Sequence, residues 1–516
     1  MNRLLLPAFA FAAPIWLSAQ VSFGGQPLGL GQVHMPQPQL FVMPEVDAAT
    51  LMAEDEQRIA DGIKGPYRFG FNHATDISTT NSGTWTTLPN GDAVWRVAIE
   101  CPSAFSINFE FNDYVVPEGA QVFVYNDMDE VLGAFTAESN PGHQELGVTQ
   151  LQGDRITIEY IEPFAVRGEG FLRIGQVTHA YRDLFRTLKG FGTSGSCNNN
   201  VICPEGDPWR DQIRSVAMIT VGGSGICTGQ LINNCNNDGT PYFLTANHCL
   251  GGNNSWVFRF NWNSPVCTPT TKAPTNQTVS GSQLRANSAG SDVALLQLNS
   301  TPPASYNVFY TGWDRSTTPP TSSTCIHHPD GDIKKISFDT NPATSVSWGG
   351  AACWRIANWE DGTTEPGSSG SGLWNQNGLL IGQLFGGTAS CSNNINDYFG
   401  RFSTSYSVLQ TWLGNCGNTL QGYPLTTSVN DLEDESALTI APNPTNGQVT
   451  VGLPATMRQG GSLAVFDAVG KQVARRTIAQ GMERITFDLA AQPEGLYFVE
   501  ATSAGAHLVQ RLVIAR

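Results

Sequence analysis

YFLTANHC at 242–249 carries His248 directly before Cys249, and it is the first of three short stretches that supply His, Asp and Ser in that order along the chain. Further along, the apolar run VALLQL follows Asp292 in the stretch SDVALLQL at 291–298. A continuous apolar run of this length predicts a buried strand, with the aspartate at its start and shielded from water. Such a carboxylate can bond one ring nitrogen of a histidine and hold the imidazole in one tautomer.

A third stretch, EPGSSGSG at 365–372, supplies Ser369 in a run of small residues. The glycines on either side let the backbone turn sharply and approach a substrate carbonyl closely. A serine hydroxyl is a poor nucleophile at neutral pH unless an imidazole accepts its proton and a carboxylate orients that imidazole. We therefore predict that His248, Asp292 and Ser369 form a catalytic triad, with the amides of Gly367 and Ser369 as the oxyanion hole.

The order of these residues excludes one rival arrangement. A nucleophile elbow needs the pattern G-x-S-x-G, but position 371 is serine, and the elbow's chain order of Ser, acid and His is the reverse of this one. Taken singly, a histidine beside a cysteine is most often a core residue or a metal ligand, and a GSSGSG run is most often a flexible loop. Their combination in this order and spacing favours the catalytic interpretation.

Several longer stretches carry a family resemblance. The chain resembles the bacterial lysyl endopeptidases, which are secreted trypsin-like serine proteases, in GTSGSCNNNVICPEGD at 192–207, CTGQLINN at 227–234, GWDR at 312–315, GQLFGG at 382–387 and DYFGR at 397–401. These motifs are specific in combination. The resemblance implies an all-β chain with a trypsin-like double β-barrel, in which the triad lies in the cleft between the barrels.

The resemblance also implies which residues form the substrate pocket. In the family an aspartate in the context DYFGR pairs with the substrate lysine, and Asp397 matches it. The family's pocket tryptophan is matched by Trp348, whereas the histidine on which it stacks is replaced by Phe385 in GQLFGG. We expect the aromatic stacking to survive although a titratable group is lost. Without the resemblance, Asp397 is more simply a surface-loop carboxylate, and one carboxylate also suits a substrate arginine.

The cysteines are typical of a protein exported to an oxidising compartment. Of the eleven, ten lie between Cys197 and Cys416 and Cys101 stands alone before them, so the mature protein is expected to hold an even set. The resemblance implies three disulfide bonds, Cys197 with Cys391, Cys203 with Cys267, and Cys227 with Cys249. Elimination then leaves Cys325 with Cys353 and Cys235 with Cys416.

Charge and metal-ligand spacing argue against other classes of function. The 516-residue chain has a net charge of -16, whereas nucleic acid binding needs clustered Lys and Arg. The sequence has no CxxC pair and no HExxH, and His327 and His328 are adjacent rather than one helical turn apart. We therefore expect no metal, no organic cofactor and no nucleic acid partner.

The segments that precede the protease region have their own signals. A basic start followed by a short apolar run with Pro7 and Pro14 predicts a signal peptide over 1–19 rather than a membrane anchor. Residues 20–189 are predicted to be a propeptide, mostly β, because DAVWRVAIE, SINFEFNDYVV and RITIEYIE alternate as strands of a sandwich do. A separate binding domain is the alternative. Lys189 favours the propeptide, since a protease that cuts after lysine could release itself there.

The remaining boundaries place a protease domain at 190–421, a polar and acidic linker at 422–437, and a C-terminal domain at 438–516. In the last segment, APNPTNGQVTV, LAVFDAVGKQV and PEGLYFVEAT resemble the C-terminal sorting domain of the type IX secretion system of Bacteroidetes. That resemblance implies a small β-sandwich recognised by the bacterial export machinery. A carbohydrate-binding or adhesive module is the alternative. We expect no stable membrane span in the mature chain.

Together these patterns predict a secreted or cell-surface serine endopeptidase that cuts protein and peptide substrates after lysine through an acyl-enzyme. One alternative is a serine protease of arginine or broad specificity. The other is a non-catalytic surface binding protein with a protease-like shell, against which the presence of all three triad groups argues.

Overall fold

The computed structural model describes most of the chain and divides it into two compact units, Met1–Thr426 and Thr427–Arg516. The described residues are 24–515 without 32–34, 62, 64, 140, 186–193, 253–254, 268–272, 274, 425–437, 455–456, 458–459, 468–469 and 504–505. The predicted signal peptide, the predicted cut at Lys189 and residues 425–437 of the predicted linker therefore lie outside the described residues.

The described residues up to 185 form two sheets around one core. Their elements are β1 (Gln39–Val42), α1 (Ala48–Ala60), β2 (Tyr67–Arg68), β3 (Gly70–Ser78), β4 (Thr84–Thr87), β5 (Ala93–Glu100), β6 (Ser106–Val115), β7 (Gln121–Asn126), β8 (Val131–Phe135), β9 (Leu146–Gln152), β10 (Arg155–Glu162) and β11 (Phe171–Ala180). One sheet has the order β1-β5-β10-β7-β8 with β4 beside β5, and the other has β3-β11-β6-β9. Alternate residues such as Trp95 and Val97 of β5 share the core with Phe109 and Phe111 of β6. The sandwich predicted from this alternation is confirmed.

The rest of the first unit builds two closed sheets and a separate two-stranded sheet. Its elements are β12 (Asn199–Asn200), α2 (Arg210–Ser215), β13 (Val216–Val221), β14 (Gly225–Leu231), β15 (Tyr242–Ala246), β16 (Val257–Phe260), β17 (Thr278–Ser280), β18 (Ser282–Ser288), β19 (Val293–Leu298), β20 (Phe309–Tyr310), β21 (Trp313–Asp314), β22 (Ser323–His327), β23 (Lys335–Asp339), β24 (Thr344–Trp348), β25 (Ala351–Asn358), β26 (Gly372–Asn375), β27 (Leu380–Gly387), β28 (Ile395–Arg401), α3 (Phe402–Leu413), β29 (Thr419–Leu420) and β30 (Tyr423–Pro424).

The first barrel has the strand order β17-β16-β13-β14-β15-β19-β18. It closes because only Gly281, with a φ of +80° that favours glycine, separates β17 from β18. The amide of Gly281 donates to the carbonyl of Trp256 at 2.8 Å, and its carbonyl accepts from the amide of Asn299 at 3.1 Å. The two end strands of the sheet thus continue into each other. His248 follows β15 and Asp292 precedes β19 at one end of this barrel.

The second barrel has the strand order β12-β23-β22-β26-β27-β28-β25-β24. It closes where Phe338 on β23 bridges to Asp361, which lies just beyond β25. The amide of Phe338 donates to the carbonyl of Asp361 at 2.8 Å, and the amide of Asp361 returns a bond at 3.3 Å. Ser369 lies on the loop before β26. The all-β class and the double barrel that the resemblance implies are therefore confirmed.

The sandwich packs on the first barrel through a buried polar contact. Nη2 of Arg259, on β16, donates to Oγ1 of Thr149 at 2.5 Å and to Oε1 of Gln150 at 2.8 Å. The same guanidinium lies 4.9 Å from the ring centre of Trp262. Burial lowers the pKa of Arg259 to about 10. The sandwich thus supplies two oxygen acceptors to a cation that the barrel has removed from water.

The second unit is a small two-sheet sandwich. Its strands are β31 (Thr439–Ala441), β32 (Gln448–Gly452), β33 (Gly461–Asp467), β34 (Gln472–Ile478), β35 (Arg484–Asp488), β36 (Gly495–Ser503) and β37 (Ala506–Ile514). The sheet orders are β31-β32-β35 and β34-β33-β36-β37. Val449 and Val451 of the first sheet share a core with Leu463 and Val499 of the second. The small C-terminal β-sandwich implied by the resemblance is confirmed.

Four disulfide bonds join the described cysteines of the barrels. They are Cys197–Cys391, Cys203–Cys267, Cys227–Cys249 and Cys235–Cys416. The fifth predicted pair is wrong, because Cys325 and Cys353 are free thiols, as is Cys101. Cys325 lies on β22 and Cys353 on β25, which are not neighbours in the barrel. Strands that are not neighbours in a sheet lie at least about 10 Å apart, beyond the span of a disulfide. Of the two pairs that elimination left, Cys235 with Cys416 is confirmed, whereas Cys325 with Cys353 is wrong because not every cysteine after Cys101 is paired.

Candidate active site

The first barrel brings His248 and Asp292 together at the ends of two neighbouring strands. β15 and β19 pair antiparallel with Ala246 opposite Val293, so the residues after β15 lie beside the residue before β19. Nδ1 of His248 lies 2.8 Å from Oδ2 of Asp292, and the backbone amide of His248 donates to Oδ1 at 3.0 Å. Because a carboxylate only accepts, Nδ1 carries a proton and Nε2 is the ring nitrogen that can act as a base.

The turn that carries Asp292 is held by the second barrel. Asp292 is 2% exposed and has a φ of +51°. Gln383 on β27 donates from Nε2 to the carbonyls of Ser291 at 2.7 Å and Asp292 at 3.1 Å. Gly400 on β28 approaches so closely that a Cβ there would lie 1.8 Å from the carbonyl oxygen of Ser291. The position of the carboxylate therefore depends on how the two barrels pack.

Ser369 lies on the loop before β26, and its neighbours hold that loop against the first barrel. Gly370 has a φ of +85°, and a Cβ there would lie 2.8 Å from the amide nitrogen of Ala246, so glycine is required. The amide of Thr228 on β14 donates to the carbonyl of Ser369 at 2.8 Å. Ser369 is thus held beside the strand that ends two residues before His248.

No hydrogen bond joins the hydroxyl of Ser369 to the imidazole of His248 in this structure. Nε2 of His248 is buried and makes no hydrogen bond with any residue that the structure describes. Catalytic hydrogen bonds are often long outside the complex with substrate and tighten within it. The structure therefore bonds His248 to Asp292, and it places the backbone of Ser369 against β14, beside the strand that leads to His248.

The amides of Gly367 and Ser369 are oriented by the peptide groups to which they belong. In a trans peptide the N–H and the C=O point in opposite directions. The Gly367 amide shares its peptide group with the carbonyl of Pro366, which accepts from the amide of Asp330 at 2.6 Å. The Ser369 amide shares its peptide group with the carbonyl of Ser368, which accepts from the amide of Ser371 at 3.0 Å. Both amide hydrogens therefore point away from these two partners, which suits a pair of oxyanion donors.

Asp397 is a buried carboxylate of the second barrel rather than part of a surface loop. It is 1% exposed, and its Oδ2 accepts from Nε1 of Trp359 at 2.7 Å and from Oγ1 of Thr364 at 2.6 Å. A Cβ at Gly387 would lie 2.2 Å from Oδ1, so the missing side chain leaves space beside that oxygen. A buried carboxylate held in this way is suited to pair with a cation.

One aromatic ring lies beside the imidazole, and two others lie behind it. The ring of Phe385 lies 5.9 Å from the ring of His248 and 5.0 Å from that of Trp348, between centroids. The predicted stacking of Trp348 on Phe385 is wrong, because the two rings meet edge to face at 78°. Trp348 instead stacks on Tyr398 of β28, with centroids 4.4 Å apart and planes 3° apart. Tyr398 covers one face of Trp348, and the edge-to-face contact with Phe385 is itself a favourable arrangement of two aromatic rings.

Two family models match the chain. One, described as the C-terminal domain of lysyl endopeptidase, matches residues 191–400, and the other, described as a secretion system C-terminal sorting domain, matches residues 439–515. A lysyl endopeptidase from Pseudomonas aeruginosa is 33% identical over 375 residues, which cover 66% of this chain and 80% of that protein. The chain belongs to the lysyl endopeptidase family.

Solved structures also resemble parts of this member of the lysyl endopeptidase family. A Glu endopeptidase is 18% identical with a TM-score of 0.29, over 43% of this chain and 96% of its own. The MamO protease domain from Magnetospirillum magneticum is 12% identical with a TM-score of 0.27, over 39% of this chain and 97% of its own.

Membership of the lysyl endopeptidase family makes this protein a serine endopeptidase. The type IX sorting domain assigns it to the cell surface or the extracellular space. Within the described ranges, no helix has the length and hydropathy needed to cross a bilayer. Nor do the described residues bring three or more His, Cys, Asp or Glu side chains together in a way that suits a metal ion.

Sequence reasoning missed several residues that build this candidate site. Thr228, Gln383 and Tyr398 hold the serine loop, the Asp292 turn and the Trp348 ring, respectively. Each lies inside a stretch that carried the family resemblance, which was the available signal. Their roles were hidden because each acts on a residue that is distant in the sequence.

Proposed function

We propose that Ser369, His248 and Asp292 hydrolyse peptide bonds as the nucleophile, the general base and the orienting carboxylate. The observation that carries this proposal is the 2.8 Å contact between Nδ1 of His248 and Oδ2 of Asp292, which leaves Nε2 as the proton acceptor. The glycine-dependent approach of the Ser369 loop to β15 supports it.

In the proposed mechanism, Oγ of Ser369 attacks the carbonyl carbon while Nε2 of His248 takes the hydroxyl proton. The charge that develops on the carbonyl oxygen is stabilised by the amides of Gly367 and Ser369, and loss of one such donor typically costs about 2.7–4 kcal/mol. His248 then returns the proton to the leaving amine as the C–N bond breaks and an ester forms on Ser369. Water, deprotonated by His248, hydrolyses the ester and restores the serine.

We propose that Asp397 selects lysine before the cut bond. Its burial supports this role, because a charge in such a place is stable only when it is paired and hydrogen-bonded. Trp359 and Thr364 satisfy Oδ2, and the space beside Gly387 adjoins Oδ1, toward which a substrate ammonium can be directed. The Pseudomonas aeruginosa relative is named for lysine. Arginine remains the competing substrate side chain, since a carboxylate also binds guanidinium.

We further propose that residues 20–189 are a propeptide that occupies one side of the cleft in the precursor. β2 pairs antiparallel with the start of β14, with Tyr67 opposite Ile226. Two residues along β14 from that pair, Thr228 bonds the carbonyl of Ser369. Adding an extended strand to a sheet edge is a common mode of peptide binding. β2 therefore lies where a substrate chain that passes Ser369 is expected to run.

The other proposed segments follow the predicted boundaries. The signal peptide is 1–19, the protease domain is 190–421, the linker is 422–437 and the sorting domain is 438–516. We propose that the sorting domain binds the export machinery, and that release of the propeptide near Lys189 uses the same cut after lysine as the enzyme's other substrates.

The experiment is digestion of a denatured test protein, with every cut site identified by mass spectrometry. We expect cuts confined to the bond after lysine, abolished in Ser369→Ala and retained in Ser323→Ala. Ser323 is a matched control, because its buried hydroxyl makes no hydrogen bond to any described residue. Cuts that persist in Ser369→Ala reject the triad. Wild-type cuts after other residues keep the triad and reject the lysine assignment.

A further inference from the structure

A chain of buried hydrogen bonds lies beneath the loop that carries Ser369, and the mechanism above does not use it. Nδ1 of His327 lies 2.7 Å from Oγ of Ser368, and its Nε2 lies 3.2 Å from Oγ of Ser337. All three of these residues are 0% exposed. Their polar atoms must therefore be satisfied within the protein.

The partners at the two ends of this chain determine where each proton lies. Oγ of Ser337 is 2.6 Å from the carbonyl oxygen of Thr363, and a carbonyl only accepts, so the Ser337 hydroxyl donates there. Its oxygen must then accept from Nε2–H of His327. A neutral imidazole has one N–H, so Nδ1 of His327 accepts from the hydroxyl of Ser368. The Ser368 oxygen in turn accepts from the amide of Glu365 at 3.3 Å.

This assignment requires a neutral imidazole. Burial and the neighbouring positive charge of Lys335 lower the pKa of His327 to about 3. A protonated ring would present a second N–H to the Ser368 oxygen and displace the hydroxyl proton of Ser368 from its acceptor. At neutral pH His327 is therefore a fixed acceptor for Ser368 and takes no part in proton transfer.

We propose, building on the proposed function, that His327 and Ser368 are positioning residues that hold the oxyanion hole in its catalytic geometry. Ser368 stands between the two donor residues, Gly367 and Ser369. The peptide group that precedes Ser368 contains the carbonyl of Gly367, and the peptide group that follows it contains the amide of Ser369. A rotation of Ser368 would therefore tilt the loop at both donors, and oxyanion donors act only over a narrow range of distance.

Thr228 of the first barrel also holds the loop, but it bonds the residues on either side of Ser368 rather than Ser368 itself. Thr228 donates from Oγ1 to the carbonyl of Gly367 at 2.9 Å and from its amide to the carbonyl of Ser369 at 2.8 Å. These bonds hold the two flanking carbonyls to β14. The Ser368 side chain, bonded to His327 on β22, fixes the residue between them from the side of the second barrel. Hydrogen bonds from both barrels thus hold adjacent residues of the same loop.

Three variants probe the contact between Ser368 and His327. Ser368→Ala removes the donor, His327→Leu removes the acceptor, and His327→Asn keeps an amide oxygen near the former position of Nδ1. Ser323→Ala, which deletes a buried hydroxyl on the same strand as His327, is the matched control. All are produced from the full-length chain beside Ser369→Ala, and thermal unfolding verifies that each is folded.

Three measurements separate positioning from general support of the loop. They are kcat and KM for a lysyl peptide amide, the Ki of a lysyl peptide aldehyde, and the Ki of a simple alkylamine. The aldehyde forms a tetrahedral adduct on serine and uses the oxyanion hole, whereas the alkylamine has no carbonyl. For Ser368→Ala and His327→Leu we expect kcat and aldehyde affinity to fall together by at least about tenfold. KM and the alkylamine Ki should stay within about twofold, and His327→Asn should recover most of kcat.

Two outcomes would overturn the proposal. One is a folded Ser368→Ala protein with wild-type kcat. The other is a parallel change in kcat, KM and alkylamine Ki, which indicates a collapsed loop rather than misplaced donors. If His327→Leu does not fold, Ser368→Ala decides alone, since it deletes a single atom. Wild-type activity in Ser369→Ala would instead reject the proposed function itself.

Discussion

The substitution Asp397→Asn tests whether the proposed pocket recognises the charge of the substrate side chain or only its shape. Oδ2 of the carboxylate accepts from both Trp359 and Thr364. Because both partners donate, the asparagine must turn its oxygen toward them and place its NH2 group at the position of Oδ1. A substrate ammonium then meets N–H donors where it previously met a negatively charged oxygen.

The magnitude follows from the burial of this carboxylate, which is 1% exposed. Removing one partner of a desolvated charge pair costs about 2–5 kcal/mol. The value of kcat/KM for a lysyl substrate is therefore expected to fall by about 30-fold to 5,000-fold. A substrate with norleucine in place of lysine has nearly the same shape and no charge, so its kcat/KM should change little.

The assay measures kcat/KM for three peptide amides that differ only in lysine, arginine or norleucine before the cut bond. Thr364→Val is the matched control, because it loses one donor to Asp397 while the carboxylate and its bond from Trp359 remain. This control should keep the wild-type preference for lysine over norleucine. If folded Asp397→Asn keeps that preference too, the carboxylate does not select the substrate and the reasoning fails.

Three other changes have definite expected results. Asp292→Asn should lower kcat by about 10⁴-fold, because it disturbs the tautomer of His248; steady-state kinetics with less than a tenfold loss would contradict this role. Phe385→Ala removes a ring contact to His248 and should lower kcat/KM by up to about tenfold; an unchanged value would show that the contact is dispensable. Burial raises the pKa of Glu110 from 4.5 to about 7, so the folded state favours the protonated carboxyl. The contribution of this group to the free energy of unfolding is therefore full below pH 4.5 and is lost as the pH rises through 7. Urea unfolding of a Ser369→Ala chain should therefore weaken from pH 5 to pH 8, and the added change Glu110→Gln should reduce that slope; equal slopes would argue against titration of Glu110.

Much of the fold was predictable because its evidence is local or belongs to a family pattern. The alternation in β5 and β6 predicted the sandwich, since a strand with one buried face repeats every two residues. The run VALLQL predicted β19 with Asp292 just before it, and the strand begins at Val293. The motifs that resemble lysyl endopeptidases implied the double barrel and three of the four disulfide bonds.

The errors occurred where a conclusion depended on which distant residues meet. Cys325 and Cys353 were paired by elimination, but their strands are not neighbours in the barrel. Trp348 was expected to stack on Phe385, but Tyr398 covers its face instead. His327 was considered only as a metal ligand, and its bonds to Ser337 and Ser368 depend on strand packing.

The amino-acid sequence specifies the chemical groups, their order along the chain, and whether a strand or a turn carries each one. Which Asp397 oxygen accepts from Trp359 and Thr364, and how His327 reaches Ser368, depends on the folded chain. This difference arises because side-chain alternation and glycine turns are set by neighbours within a few residues. The geometry of the site is set instead by closure of two barrels and by their packing, which bring together residues far apart in the chain.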